Sequence, residues 1–568
     1  KKKKKKKVRC VLVLLCSVIN HAKLSFSQGF QVSAMEVAII GASVRLPGGV
    51  SSLLALQEFL SANVDAFTLV PPFQRGWTAH QGVGAFLQQD HALADCEFFK
   101  MSQREMLSGD PQQHLLLELA WEAVESSGIL PSIKHENVGV LVGVSDLGRA
   151  SPSYDPLFQY SSHAGVIAGK IANFFGFTGP ALTLDTETSS ALVCVHQAMQ
   201  SLKLGEATIT LAGGASLLQS SCMSQFYQKA HILSKCGKCR PFDRRGDGVV
   251  RGEGGGFVVL KLLKSCTAGD RILAVLSGSA VNQNGEHGDM KAPSAKAQET
   301  LLRSVLTTSG ITIDDIDFVE CHGTGTRAGD VAELAALEAV FSQRLGPIRI
   351  GSIKRKIGHL EAASGIAGLL KCIVSAMHLQ IPAHDPDFVP CLALPKCIQV
   401  PTCTQGCSNK QMALCVVSLG LAGTNAAVVV RSNSVVQQPS FQSKIGLLTL
   451  SARSFSELRG VFRDLEGCED ADPLEVALLS NLYKKHFSWR VGHVVTSDRN
   501  AFRFWLAGQV NYPLPCYVPT NSQGATLLFL PDSPCYASCI HSTCSSQPLF
   551  SKIFSALVSA LQWKMPSD

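Results

Sequence analysis

Four short segments carry side chains whose types and order suit covalent chemistry. In Asp185-Thr186-Glu187-Thr188-Ser189-Ser190 a strand runs into a polar turn, and an amphipathic helix begins at Thr188–Ser190. A helix start aims free N–H groups and positive potential at its first turn. A side chain there can be an activated nucleophile or part of an oxyanion site. The plainer alternative is that the three hydroxyls only cap the helix. In Val319-Glu320-Cys321-His322-Gly323-Thr324-Gly325-Thr326 a strand delivers His322 into a glycine/threonine loop, with Glu333 in the helix beyond. Gly351-Ser352-Ile353-Lys354-Arg355-Lys356-Ile357-Gly358-His359 repeats the order strand, turn, histidine, helix. Singly, each histidine is more often structural; together they can share one crevice, because such crevices open at the carboxyl ends of strands. Ser418-Leu419-Gly420-Leu421 is a glycine turn whose N–H groups can face a ligand.

The elements that must position these turns are legible as alternation. Val37–Ile40, Val138–Val144, Ile272–Leu276, Phe318–Glu320, Ile348–Ile350 and Leu414–Ser418 read as buried strands. His114–Glu125, Ser189–Leu204, Ala295–Thr308, Val331–Gln343 and Glu361–Leu379 read as helices. Strand–helix alternation over nearly 400 residues implies an α/β fold with helices on both faces of a sheet. After Val430 the texture changes. Residues 432–444 are polar and linker-like, and 445–510 predict a small strand-and-helix unit.

Charge and composition exclude other classes. Of 51 Lys and Arg, nine lie in residues 1–34, which hold no Asp or Glu. That leaves 42 basic against 44 acidic residues, a net −2, in the remainder. Such a body gives no electrostatic basis for a nucleic-acid partner. With 46% hydrophobic and 17% charged residues, the chain is not disordered. Past residue 34 no apolar run approaches the roughly 20 residues of a membrane span, so no membrane partner is expected. The 20 scattered cysteines read as reduced thiols. Residues 1–34, seven lysines and an apolar run, read as a non-domain leader, signal-like or artefactual. The pair Cys236/Cys239 has metal-ligand spacing without a second pair, so no metal site is expected.

The ordered set of motifs resembles the β-ketoacyl synthase (ketosynthase) domain of type I fatty acid synthases and modular polyketide synthases. Supporting blocks are Asp110-Pro111-Gln112-Gln113, Phe174-Phe175-Gly176-Phe177-Thr178-Gly179-Pro180, Cys239-Arg240-Pro241-Phe242-Asp243 and Gly248-Val249-Val250-Arg251-Gly252-Glu253-Gly254. The resemblance covers residues 35–431. Residues 432–522 resemble the ketosynthase–acyltransferase linker, and 523–568 the truncated start of an acyltransferase. It implies a thiolase-like fold of five α-β-α-β-α layers, usually a homodimer, followed by a small α/β linker domain. It also implies a cytoplasmic location and no bound cofactor. Substrates would arrive on the phosphopantetheine arm of an acyl carrier protein. By the same resemblance, position 188 is the nucleophile, and His322 and His359 decarboxylate a malonyl unit and stabilise its enolate. Lys354, supported by Glu333, orders the site; Thr324 and Thr326 hold the phosphopantetheine; the N–H groups of Thr188 and Leu421 form the oxyanion hole.

One departure decides the expected activity. The family block reads Asp-Thr-Ala-Cys-Ser-Ser, so Thr188 replaces the cysteine and Glu187 the alanine. A thiolate is accessible near neutral pH from a reference pKa of about 8.5. A threonine hydroxyl needs an adjacent general base. Cys194, about 600° further along the helix, is no substitute. Lys356, where the family has Asn, is expected to place a second cation near the histidines, and His114 stands where the family has Arg. The expectation is therefore a ketosynthase-like acyltransferase impaired at acyl loading. The alternatives are a malonyl-carrier decarboxylase without condensation and a non-catalytic carrier-binding or dimerisation domain.

Overall fold

The computed structural model describes residues 35–433 apart from short stretches, of which 72–81, 146–162 and 287–291 are the longest, and then mainly 445–466 and 489–496. The expectations for residues 1–34, for the end of the strand-and-helix unit at 501–510 and for 523–568 lie outside the described residues.

The β-branched runs become strands of one mixed sheet. In chain order they are β1 (Val37–Arg45), β2 (Val138–Gly143), β3 (Ala181–Leu184), β4 (Ile209–Ser216), β5 (Gly254–Leu262), β6 (Ala274–Gln283), β7 (Phe318–Glu320), β8 (Ile348–Gly351), β9 (Ile398–Gln399), β10 (Ala413–Leu419) and β11 (Thr424–Arg431). Their spatial order is β9-β8-β7-β10-β11-β6-β1-β5-β4-β2-β3. Only three residue pairs, from Val37↔Leu276 to Ile39↔Ala274, join β1 to β6, and they divide the ladder into two halves. With β9 at the edge set aside, the five strands of each half lie in the order third, second, fourth, fifth, first. In each, the first three of these pair in parallel and the last two antiparallel. The topology thus carries an internal duplication that no sequence repeat announced.

Helices complete five layers. The ones that matter here are α1 (Leu53–Ser61), α2 (Pro111–Ser126), α3 (Ala164–Phe175), α4 (Ser190–Leu204), α5 (Ala295–Ser309), α6 (Arg327–Phe341), the single turn α7 (Lys354–Ile357) and α8 (Ser364–His378). Helix α3 covers the outer face of β2 and β3, and α5 and α6 cover the other half. Helices α4 and α8 lie between the halves, α4 touching β2 and β4 as well as β6 and β11. The period-two burial of β10 follows from this sandwich. Leu414 and Val416 join the central core, while Cys415 and Val417 join the outer one under α5 and α6. Each such buried aliphatic side chain contributes roughly 1.5–3 kcal/mol. The five-layer arrangement implied by the resemblance is the one observed.

The sequence-based element bounds agree to within a few residues for most strands and helices. Strands β4, β5, β9 and β11 and helices α1 and α3 were not anticipated. Residues 445–517 contain a separate small unit. Its strands are β12 (Ile445–Ala452), β13 (Trp489–Thr496) and β14 (Cys516–Tyr517), with helix α9 (Phe455–Glu466). Leu448, Leu450, Leu458 and Phe462 form its core.

Candidate active site

The turn after β3 is built by its own polar side chains. Asp185 Oδ1 accepts from Glu187 N at 2.8 Å, a local turn-forming bond. Glu187 takes the left-handed conformation, φ 62°. Ser190 Oγ accepts from Thr186 N at 2.9 Å and donates to Glu187 O at 2.5 Å, while Ser189 Oγ donates to Thr186 O at 3.0 Å. The two serine hydroxyls therefore knit the turn, and Ser189, which precedes α4, makes no side-chain capping bond. The capping alternative is not what the geometry shows. Gly143 of β2 lets α4 come this close: a Cβ there would stand 2.5 Å from Ala191 N.

The glycine loop after β10 docks onto this turn from the other half. A Cβ at Gly420 would meet Thr186 O at 2.7 Å, which is why the contact needs glycine. Ser418 Oγ donates to Thr188 O at 2.9 Å, and Thr188 Oγ1, itself buried, donates to Leu419 O. The N–H groups of Thr188 and Leu421, expected to form an oxyanion hole, converge on one point. That point is occupied by Glu187 Oε2, at 2.6 Å from Thr188 N and 3.0 Å from Leu421 N. Burial pushes the Glu187 carboxyl above its ordinary pKa, against the pull of the N–H groups of Leu421 and Thr188.

The two histidines come together, ring centroids 5.5 Å apart and planes at 83°. His322 Nδ1 accepts from Leu419 N at 3.3 Å, and His359 Nδ1 accepts from Glu361 N at 2.9 Å. With Nδ1 an acceptor, the proton of each neutral ring is on Nε2. Burial holds both pKa values well below 6.5; the Lys354 cation adds to this in each case, then the other imidazole for His322 and Arg251 for His359. Both rings are neutral donors. Glu333 pins the first loop: its two oxygens accept from His322 N at 2.7 Å and Gly323 N at 2.9 Å. Asp330 holds the next stretch by accepting from Gly325 N at 3.1 Å and Phe242 N at 2.6 Å. Thr324 and Thr326 share a hydroxyl–hydroxyl bond of 2.8 Å.

A cavity of about 430 Å³ brings Thr188, His322, His359, Thr324, Thr326 and Glu333 into one wall, with the Leu421 loop beside them. Lys354 is buried behind that wall, where burial lowers its pKa against the carboxylates Glu320 and Glu333. Lys356 corrects its expectation. Its Nζ turns away to the carbonyls of Phe59, Ala62 and Val64 around the end of α1. Cys194 is buried in the core, where burial pushes its thiol up. His114, likewise buried, has its pKa lowered to about 4, first by burial. Arg251, which received no role from the sequence, lines the cavity and pairs with Glu361. Chemically, the site offers two neutral Nε2–H donors for a developing enolate and a hydroxyl at Thr188 whose hydrogen faces a carbonyl rather than a base.

The chain is similar to known proteins in sequence and in fold. The models described as β-ketoacyl synthase N-terminal and C-terminal domains match residues 34–265 and 273–385. A phenolphthiocerol/phthiocerol polyketide synthase of Mycobacterium tuberculosis is 35% identical over 83% of this chain, which spans 27% of that protein. An erythronolide synthase of Saccharopolyspora erythraea is 36% identical over 74% of this chain and 12% of its own. The ketosynthase from module 6 of the bacillaene synthase of Bacillus subtilis superposes with a TM-score of 0.79 at 27% identity, covering 93% of this chain and 95% of that one. No helix among the described residues is long and apolar enough to cross a membrane.

Proposed function

Since the chain belongs to the β-ketoacyl synthase family, we propose that its cavity acts on carrier-tethered acyl and malonyl units in the decarboxylative carbon–carbon bond formation of fatty acid or polyketide assembly, slowed at acyl loading by Thr188. The observation that carries this is the convergence of Thr188, His322, His359, Thr324 and Thr326 on one cavity. In the loading step the Thr188 oxygen bonds the acyl carbon as the carrier C–S bond breaks, and the hydroxyl proton ends on the pantetheine thiol. In the second, malonyl-carrier loses CO₂ and its enolate oxygen is held by the Nε2–H groups of His322 and His359. The enolate carbon then bonds the acyl carbon, and Thr188 leaves and regains a proton from solvent. Lys354 and Glu333 are positioning residues behind the histidines.

The histidine pair, neutral and fixed in tautomer, favours a second reading in which malonyl-carrier is decarboxylated to acetyl-carrier without condensation. Residues 35–431 are taken as the condensing domain and 432–522 as its linker. A homodimer is supported by β3, which ends the ladder with Leu182 46% exposed. Exposed free thiols at Cys222, Cys236 and Cys403 support a reducing, cytoplasmic setting. The test is incubation with acyl- and malonyl-phosphopantetheine carrier protein, read by intact-protein mass spectrometry. Slow acylation of Thr188 together with acetyl-carrier is expected. Acetyl-carrier with no acylation selects the second reading. Neither product, with wild type and with Thr188→Cys alike, leaves only a non-catalytic carrier-binding or dimerisation domain.

A further inference from the structure

The two N–H groups that should polarise a thioester at position 188 already have a ligand, and it belongs to the chain itself. Glu187 Oε2 accepts from Thr188 N at 2.6 Å and from Leu421 N at 3.0 Å. These donors come from opposite halves of the fold, Leu421 lying 234 residues beyond Glu187 in the chain. One oxygen bridging both is therefore a property of the folded site, not of the local turn. The rest of Glu187 is equally fixed. Its N–H is held by Asp185 and its carbonyl by Ser190, from both N and Oγ. Its side chain lines the same cavity as the histidines.

We propose that Glu187 is a resident occupant of the oxyanion hole and a specificity determinant, shutting the carbonyl subsite at position 188 while leaving the histidine subsite open. This rests on the ketosynthase reading above and deepens it. A thioester whose carbonyl must enter the Thr188–Leu421 hole is refused until the carboxylate leaves. A thioester whose carbonyl is polarised by the Nε2–H groups of His322 and His359 meets no such block. The site thereby discriminates between its two substrates by an internal anion, independently of which nucleophile stands at 188. The raised pKa of the Glu187 carboxyl agrees with a group held in place by geometry at some cost in desolvation.

The hole is separable from the nucleophile because some reactions at the same sulfur do not need it. In a Thr188→Cys background, iodoacetamide alkylates the thiol by displacement at a saturated carbon, with no oxyanion to stabilise. Acylation by hexanoyl-pantetheine requires one. Any effect of the Glu187 charge on thiolate formation moves both rates, whereas occupancy of the hole moves acylation only. Losing one donor of such a hole costs on the order of 10²–10³ in rate in other enzymes. The full chain carrying Thr188→Cys should therefore alkylate readily but acylate slowly. Adding Glu187→Ala should raise acylation at least about tenfold relative to alkylation. Adding Glu187→Gln should leave it slow, since the amide oxygen can accept the same two N–H bonds. Because residue 187 has a left-handed backbone, Glu187→Gly, which adopts φ 62° freely, guards against misfolding of the alanine variant. Equal acylation-to-alkylation ratios with and without Glu187 would overturn the proposal and leave the ketosynthase reading standing. Alkylation without acylation in every variant would overturn both.

Discussion

The ion pair beneath the histidine loop yields the sharpest prediction about stability. Lys371 Nζ on α8 lies 2.6 Å from Glu320 Oε2, with the side chains only 4% and 2% exposed. The other Glu320 oxygen accepts from Ile353 N at 2.6 Å, and the Lys371 ammonium stands 4.8 Å from the Phe318 ring centroid. Removing one member of a buried pair leaves an uncompensated charge, at a cost of about 3–5 kcal/mol. Lys371→Met does this while keeping the stem's volume. At about 2.1 cal/mol/K per residue over roughly 400 residues, that loss lowers Tm by about 4–6 °C. Glu320→Gln alone strands the Lys371 ammonium, yet in the double variant neither member of the pair is charged, Lys354 keeps Glu333, and the amide oxygen still serves Ile353 N. The double variant should therefore recover at least half of the summed loss. Differential scanning calorimetry on the full chain supplies all four corners of the cycle. Effects that add to within about 0.5 kcal/mol would refute the reasoning, because additivity would mean that the pair is not coupled.

Three further outcomes follow from the site. Burial, opposed by Phe242 N–H, raises Asp330 to about 7 from 3.8, so between about pH 4 and 7 the folded chain holds a proton that the unfolded chain has released. Its contribution therefore falls as pH rises through that window, and Asp330→Asn, which no longer titrates but keeps an acceptor for only one of the two N–H groups, should lower Tm at all pH values while making its decline with pH shallower. His322 and His359 are held well below 6.5, so acetyl-carrier formation should show no step between pH 5.5 and 7.5 arising from their titration; a step abolished by His359→Asn would contradict this. Lys356→Met should cost about 1.5–3 kcal/mol through the lost carbonyl bonds at α1, without changing alkylation at position 188 in the Thr188→Cys background.

What the sequence revealed depended on how local the cause was. The strand at Val138–Gly143 was legible because a strand buried on both faces is a continuous apolar run. Strand β5 was not, because it opens with three glycines, which carry no strand signal. They are glycine because the neighbouring backbone is too near: a Cβ at Gly255 would stand 2.6 Å from Gly214 O. The motifs carrying Thr188, His322 and His359 were legible by type and order. Glu187 was visible as a replaced small residue with a charge to satisfy, yet its partner N–H lies at Leu421, and no spacing reports that. Lys356 was misplaced for the converse reason. It stands two residues from Lys354, but the single helical turn between them sends its ammonium toward α1.

The paired halves of the fold also set an order of events during synthesis. Helix α4 rests on strands from both halves, and the hole is closed by an N–H at Leu421. As the ribosome emits the chain, the first half is complete near Leu262, with one face of α4 bare of its second sheet. Strand β6 follows soon after, but β11, and the Leu421 N–H just before it, emerge only some 160 residues later. Such long-range closure is slow and exposes apolar surface meanwhile. The same late-arriving segment thus supplies both the last strand packed on α4 and the backbone N–H that reaches the turn at Glu187.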